Sequence, residues 1–179
     1  MLKDDAELYV RRSVANNLND ISKDNSEVVV STLTRWGQSS SEEMQRLIRR
    51  ALRTLLKQGN VGALGLLGYE SPGVSVAALS LQNQRVLKEG GLIFRFSFVS
   101  EKSQKLMIDY RICYMKSNGK QAPKTFKWAD RTVKAGDVGE IPRKQLCKTI
   151  STHKHYRGRR KIEIIVNGQA MAESDFECD

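Results

Sequence analysis

The sequence predicts two unlike domains in series, an α-helical repeat segment over residues 1–70 and an antiparallel β-sandwich over residues 71–179, an α+β chain. Apolar residues recur every three or four positions ahead of Ser71-Pro72-Gly73 and at alternate positions after it. The first stretch contains no proline, whereas the second is rich in β-branched and aromatic residues. A Pro-Gly pair at the change of texture marks the boundary, and 179 residues suit two small domains.

Three helices are legible, with a fourth weaker one. Over residues 7–23, Val10, Val14, Leu18 and Ile21 form one apolar stripe. Residues 26–37 carry Val29, Val30, Leu33 and Trp36, with Gly37 at the end. The third helix opens on Ser40 and Glu43, a capping-box spacing, runs through Met44, Leu47, Ile48, Ala51, Leu52, Leu55 and Leu56, and stops at Gly59. The run Ala63-Leu64-Gly65-Leu66-Leu67 makes the last helix.

The first and third helices match each other. Val10-Arg11-Arg12-Ser13-Val14 aligns with Ile48-Arg49-Arg50-Ala51-Leu52, and Leu18 aligns with Leu56 at the same offset. Such self-similarity is the signature of stacked helical pairs, as in HEAT-type arrays. Arg46, Arg49, Arg50, Arg53 and Lys57 fall three or four apart on the third helix, opposite its apolar stripe. Arg12, Asn16, Asn19, Asp20 and Lys23 share a face of the first, next to Arg11. No Glu lies between positions 44 and 69, so these arginines are expected to lack partners one turn away and to form a cradle for a polyanion.

In the second domain, Leu92, Phe94, Phe96 and Phe98 alternate with polar residues, as do Ile108, Tyr110, Ile112 and Tyr114. Asn118-Gly119 and Asn167-Gly168 read as hairpin turns. With Val74 to Leu81, Phe126 to Trp128, Ile162 to Val166 and a last strand holding Ala170, Ala172 and Phe176, six or seven short antiparallel strands are expected. That pattern fits an immunoglobulin-like sandwich without its inter-sheet disulfide.

The net charge of +10 is unevenly placed. Residues 1–70 hold 10 basic and 9 acidic side chains, and residues 71–179 hold 20 and 11. The segment His153 to Lys161 concentrates Lys154, Arg157, Arg159, Arg160 and Lys161 beside Tyr156, a second candidate for phosphate contact. No apolar run approaches the roughly 18 residues of a membrane span, and MLKDDAELYV lacks the pattern of a signal peptide, so a cytoplasmic chain is expected. Cys113, Cys147 and Cys178 are widely spaced, which suggests buried thiols and neither a zinc site nor a disulfide framework. His153 and His155 have no clustered partners, so no metal is expected. Gly62, Gly65 and Gly68 form no nucleotide fingerprint, and no cofactor is indicated.

The stretches YVRRSVANNLNDISKDN (9–25), EEMQRLIRRALRTLLKQGN (42–60) and GALGLLGY (62–69) resemble the AlkC-type DNA alkylation repair glycosylases, and VRRSVANNLND is specific. The resemblance implies HEAT-like repeats, excision of alkylated purines such as 3-methyladenine, and an immunoglobulin-like domain at the C-terminus of some members. It also implies that the acidic catalytic residue and the aromatic damage pocket come largely from repeats ahead of the segment seen here. This chain therefore reads as the C-terminal portion of such an enzyme, gripping duplex DNA and completed by N-terminal repeats, in trans if need be. A thin two-pair solenoid should leave an exposed apolar edge on its first helix.

A cationic purine is already a good leaving group, so the enzyme needs a carboxylate to stabilise the oxocarbenium ion and a positioned water. Asp20 is the one carboxylate well inside the expected DNA-facing side, and hence the catalytic candidate within this chain. Its plainer reading is a local bond to Asn16, Asn17 or a neighbouring cation. The rival functions are a non-enzymatic module for bent or branched DNA and a solenoid adaptor that holds an acidic peptide.

Overall fold

The computed structural model describes residues 1–38, 41–87, 90–117, 119–146 and 156–178. The chain divides into two compact units, Met1–Glu70 and Ser71–Asp179.

In the first unit a 3₁₀ turn at Leu2–Asp4 precedes α1 (Leu8–Ile21), α2 (Ser26–Gly37), α3 (Glu42–Ala51), α4 (Arg53–Gln58) and α5 (Val61–Leu66). The cap of α3 is Ser41, whose hydroxyl accepts from the Met44 N–H at 3.2 Å. This moves the expected start along by one residue, and with Met in the third helical position no side chain can return the bond. Ser40 lies outside the described residues. Gly59 ends α4 at a left-handed φ of 74°, a conformation that costs a glycine little.

Packing departs from the expected stripe. The residues α1 buries are Ala15 and Asn19, while Val10, Val14 and Leu18 are half-buried and Ile21 is exposed. It is therefore the amide-bearing side of α1 that packs on α3. The third predicted helix is also interrupted, at Leu52. There the Oδ1 of Asn19, only 2% exposed, accepts the Thr54 N–H at 3.2 Å. A side chain entering the backbone ladder is a known origin of such breaks. Leu8, Tyr9, Ile21 and Val28 remain exposed along α1 and α2.

The second unit holds eight strands among its described residues: β1 (Val74–Leu81), β2 (Arg85–Val86), β3 (Gly91–Ser100), β4 (Gln104–Met115), β5 (Gln121–Val133), β6 (Val138–Leu146), β7 (Gly158–Val166) and β8 (Gln169–Cys178). They form a three-stranded sheet in the order β1-β3-β6 and a five-stranded sheet in the order β2-β8-β7-β4-β5. All pairings are antiparallel except β2 with β8. The strands exceed expectation in length at β4 and β5, which run to 12 and 13 residues.

One core joins the two sheets, built from Leu92, Phe94, Phe96 and Phe98 of β3 against Leu106, Ile108, Tyr110, Ile112, Ile162 and Ile164. The Phe94 and Tyr110 rings meet edge-on at 5.2 Å, a geometry worth about 0.5–1.5 kcal/mol beyond area burial. The Tyr110 hydroxyl donates to Gln145 Oε1, tying β4 to β6 across the sheets. The β7–β8 turn has Asn167 at φ 45° and Gly168 at φ 81°, the positive pair a type I′ turn requires. Asn167 Oδ1 also accepts the Met107 N–H at 2.7 Å and its Nδ2 donates to the Lys105 carbonyl, so the turn is latched to β4. The β4–β5 turn is closed by Lys116 N–H to the Lys120 carbonyl, with Gly119 at φ 75°. Asn118 lies outside the described residues.

Gly139 faces Phe98 in register, and a Cβ there would fall 2.3 Å from the Phe98 ring, which is 1% exposed and hemmed in by core neighbours. Gly139→Ala should lower stability by about 1–3 kcal/mol, measured by urea denaturation with an unchanged m-value. Asn19→Ala should lower it by a similar amount of about 1–3 kcal/mol, because the Thr54 N–H loses its acceptor in a part-buried place. Loss of helical circular dichroism on heating reads that change.

Candidate nucleic-acid interface

The candidate side chains of the helical unit sort into three groups by what holds them. Arg50 Nε and Arg53 Nη1 both donate to Asn16 Oδ1, at 3.1 and 2.9 Å. Arg50 also lines a 280 Å³ cleft between α1 and α3 together with Arg11, Arg12 and Arg46, over a floor of Leu8, Ala15 and Leu47. Arg12, Arg50, Arg53 and Lys57 are all exposed. The stripes of α1 and α3–α4 therefore adjoin, as stacking of the two matched helices requires. Glu43 lines the cleft wall, and Asp20 lies near Arg53.

The second group is held by other partners. Arg11 donates to the backbone carbonyls of Asp5 and Ala6, at 2.5 and 2.7 Å, and so staples the segment ahead of α1. Arg46 pairs with Glu42 at 2.7 Å. The expectation of partnerless arginines overlooked this acid, because Glu42 sits just ahead of the Glu-free stretch, one turn before Arg46. Arg49 reaches the Tyr69 hydroxyl at 3.4 Å.

The third group is Asn19 and Asp20, of which Asn19 needs correction. Asn19 is no surface contact; it is buried against Thr54. Asp20 is 63% exposed and bonded to Lys23 at 2.8 Å, and that bond, followed by the charge of Lys23, holds its carboxyl below the usual aspartate range. That contact with Lys23 is the local bond the plainer reading expects, and it keeps the Asp20 carboxylate ionised.

In the sandwich, the expected basic segment is mostly occupied as well. Arg159 pairs with Asp175 at 2.7 Å and Lys161 with Glu173 at 2.9 Å, both across β7 and β8. Those hydrogen bonds raise the pKa of each cation. Arg111 meets Glu163 at 3.1 Å on the neighbouring pair of strands. Arg160 is 1% exposed, stacks over the Tyr114 ring at 5.2 Å and donates to the Tyr156 carbonyl. It belongs to the packing of the sandwich, not to its surface. Arg157 remains exposed. Lys154, His153, His155 and Cys147 lie outside the described residues. Cys178 is buried, and burial, with Glu163 second, pushes the half-buried Cys113 thiol up, away from a reactive thiolate.

The contacts missed from sequence are Asn16 as a shared acceptor and the β8 acids as counterions. Only the asparagine had a signal, its place one turn after Arg12.

The family model of the uncharacterised protein YhaZ, C-terminal Ig-like domain, matches residues 75–179. The chain belongs to that family. The YhaZ protein of Bacillus subtilis (strain 168) is 35% identical over 177 residues, which cover 98% of this chain and 49% of the relative. Among solved structures, the Pseudomonas fluorescens alkylpurine DNA glycosylase AlkC, bound to DNA containing an abasic site analog, matches at a TM-score of 0.94 and 38% identity. That match covers 99% of this chain and 50% of AlkC. The resemblance seen in VRRSVANNLND is borne out. This member of the YhaZ C-terminal family spans about half the length of the relatives it matches. Among the described residues, no helix is long and apolar enough to cross a membrane.

Proposed function

We propose that this chain is the DNA-gripping C-terminal portion of a HEAT-like glycosylase that removes N-alkylated purines such as 3-methyladenine from duplex DNA. The observation that carries this reading is the likeness, along 99% of the chain, to an alkylpurine glycosylase bound to DNA. The adjoining rows of Arg12, Arg50, Arg53 and Lys57 support it, because exposed guanidinium groups on neighbouring helices suit a phosphate backbone. Of the expected basic segment of the sandwich, Arg157 is the described cation left exposed and outside the β7–β8 ion pairs for the same task.

Chemistry at the sugar requires a carboxylate and a water in an enclosed site. Asp20 is the candidate for that carboxylate within this chain, and the rest of the pocket is assigned to the half that the relatives carry outside the matched region. Those repeats, joined or in trans, would pack on the exposed apolar edge of Leu8, Tyr9, Ile21 and Val28. No metal or cofactor enters the scheme. The second reading is a non-enzymatic module for bent or branched DNA; tighter binding to branched than to plain or alkylated duplex would select it. A peptide adaptor would instead gain no heat stability from DNA.

The chain alone should bind duplex DNA weakly and with steep salt dependence, and should leave methylated duplex intact in a nicking assay until the half that the relatives carry outside the matched region is supplied. Robust excision by the 179 residues alone would overturn this division of labour. Arg53→Gln should reduce the slope of log affinity against log salt by about 0.9. Arg159→Gln and Lys161→Gln should leave that slope unchanged, since Asp175 and Glu173 already hold those charges.

A further inference from the structure

We infer that Asn16 is a positioning residue, which holds Arg50 and Arg53 as a preset guanidinium pair closing on a single backbone phosphate. The inference rests on the proposed binding of duplex DNA by the helical unit. Its starting point is one atom: Asn16 Oδ1 accepts Arg50 Nε at 3.1 Å and Arg53 Nη1 at 2.9 Å. The two donors are thus within about 6 Å of each other, although their side chains leave different helices on either side of the Leu52 break.

Two guanidinium groups at that separation repel, and each has several rotamers in which to move apart. A carbonyl oxygen has two acceptor sites, and here both are taken by arginine. Being uncharged, the amide orders the pair without neutralising it, which an aspartate in its place would do. The choice of donor atoms matters equally. Arg50 uses Nε and keeps both terminal nitrogens for an end-on approach to an anion. Arg53 uses one N–H of Nη1 and keeps the edge formed by Nε and Nη2. Each can still meet a phosphate through two parallel bonds. Asn16 itself is anchored, because Asn19 on the same helix is buried under the Thr54 N–H, next in sequence to Arg53. Of the acidic groups near the pair, Asp20 is engaged by Lys23.

The test uses the full chain and a plain duplex, with affinity followed across a salt series. Asn16→Ala should weaken binding about tenfold, the loss expected when two long side chains must be ordered on binding, while the salt slope stays as in the wild type. Asn16→Asp keeps an acceptor and should bind more weakly still, with a smaller slope, because it adds a charge of the wrong sign. In the free protein, the Arg50 Nε–H signal should be protected from exchange with solvent in the wild type and lose that protection in Asn16→Ala. Wild-type affinity in both variants, or an unprotected Arg50 signal in the wild type, overturns the positioning role and leaves DNA binding standing. No salt-dependent binding in the wild-type arm overturns the DNA reading instead. Should Asn16→Ala not fold, the aspartate variant and the wild-type signal decide.

Discussion

The helical unit is organised by an amide that gives up solvent for a backbone partner. Asn19 points into the packing of α1 on α3, where its oxygen takes the Thr54 N–H at the helix break. An apolar residue there would leave that N–H without an acceptor, in a place water reaches poorly. With Asn19 turned inward, Asn16, three residues earlier on the same helix, comes to the rim of the groove and meets Arg50 and Arg53. One asparagine sets the packing; the other inherits its position from it.

The sandwich shows how little a charge count says about available charge. Most of the net positive charge of the chain falls after residue 70. Yet the outer side of β7 and β8 carries its cations opposite acids, and Arg160 is withdrawn beneath Tyr114. Exposed pairs of this kind add little stability. Their effect is to remove Arg159 and Lys161 from the pool that a polyanion can recruit. On the nearly neutral helical unit, by contrast, Arg12, Arg50, Arg53 and Lys57 stay exposed on adjoining helices.

Elements with a strong period were legible. α2 and the alternation of β3 were readable because burial on one side enforces one spacing. β6 was not readable: it is an edge strand with Pro142 and several charges, and only Ile141 goes inside. An edge strand needs few apolar residues, so its pattern is faint. The break at Leu52 was equally invisible, since its cause is a side chain from another helix.

By itself the sequence determined the two textures, the change at Ser71-Pro72-Gly73, the Asn167-Gly168 turn and the stripe that unites Arg50 and Arg53, all products of local periodicity and backbone preference. Tertiary structure alone decided which cations are paired, which asparagine is buried, and that the apolar stripe of α1 is only half-buried while Ala15 and Asn19 go fully inside. The reason is physical. Periodicity places a residue on a face, but the partner that neutralises, caps or buries it comes from a distant part of the chain.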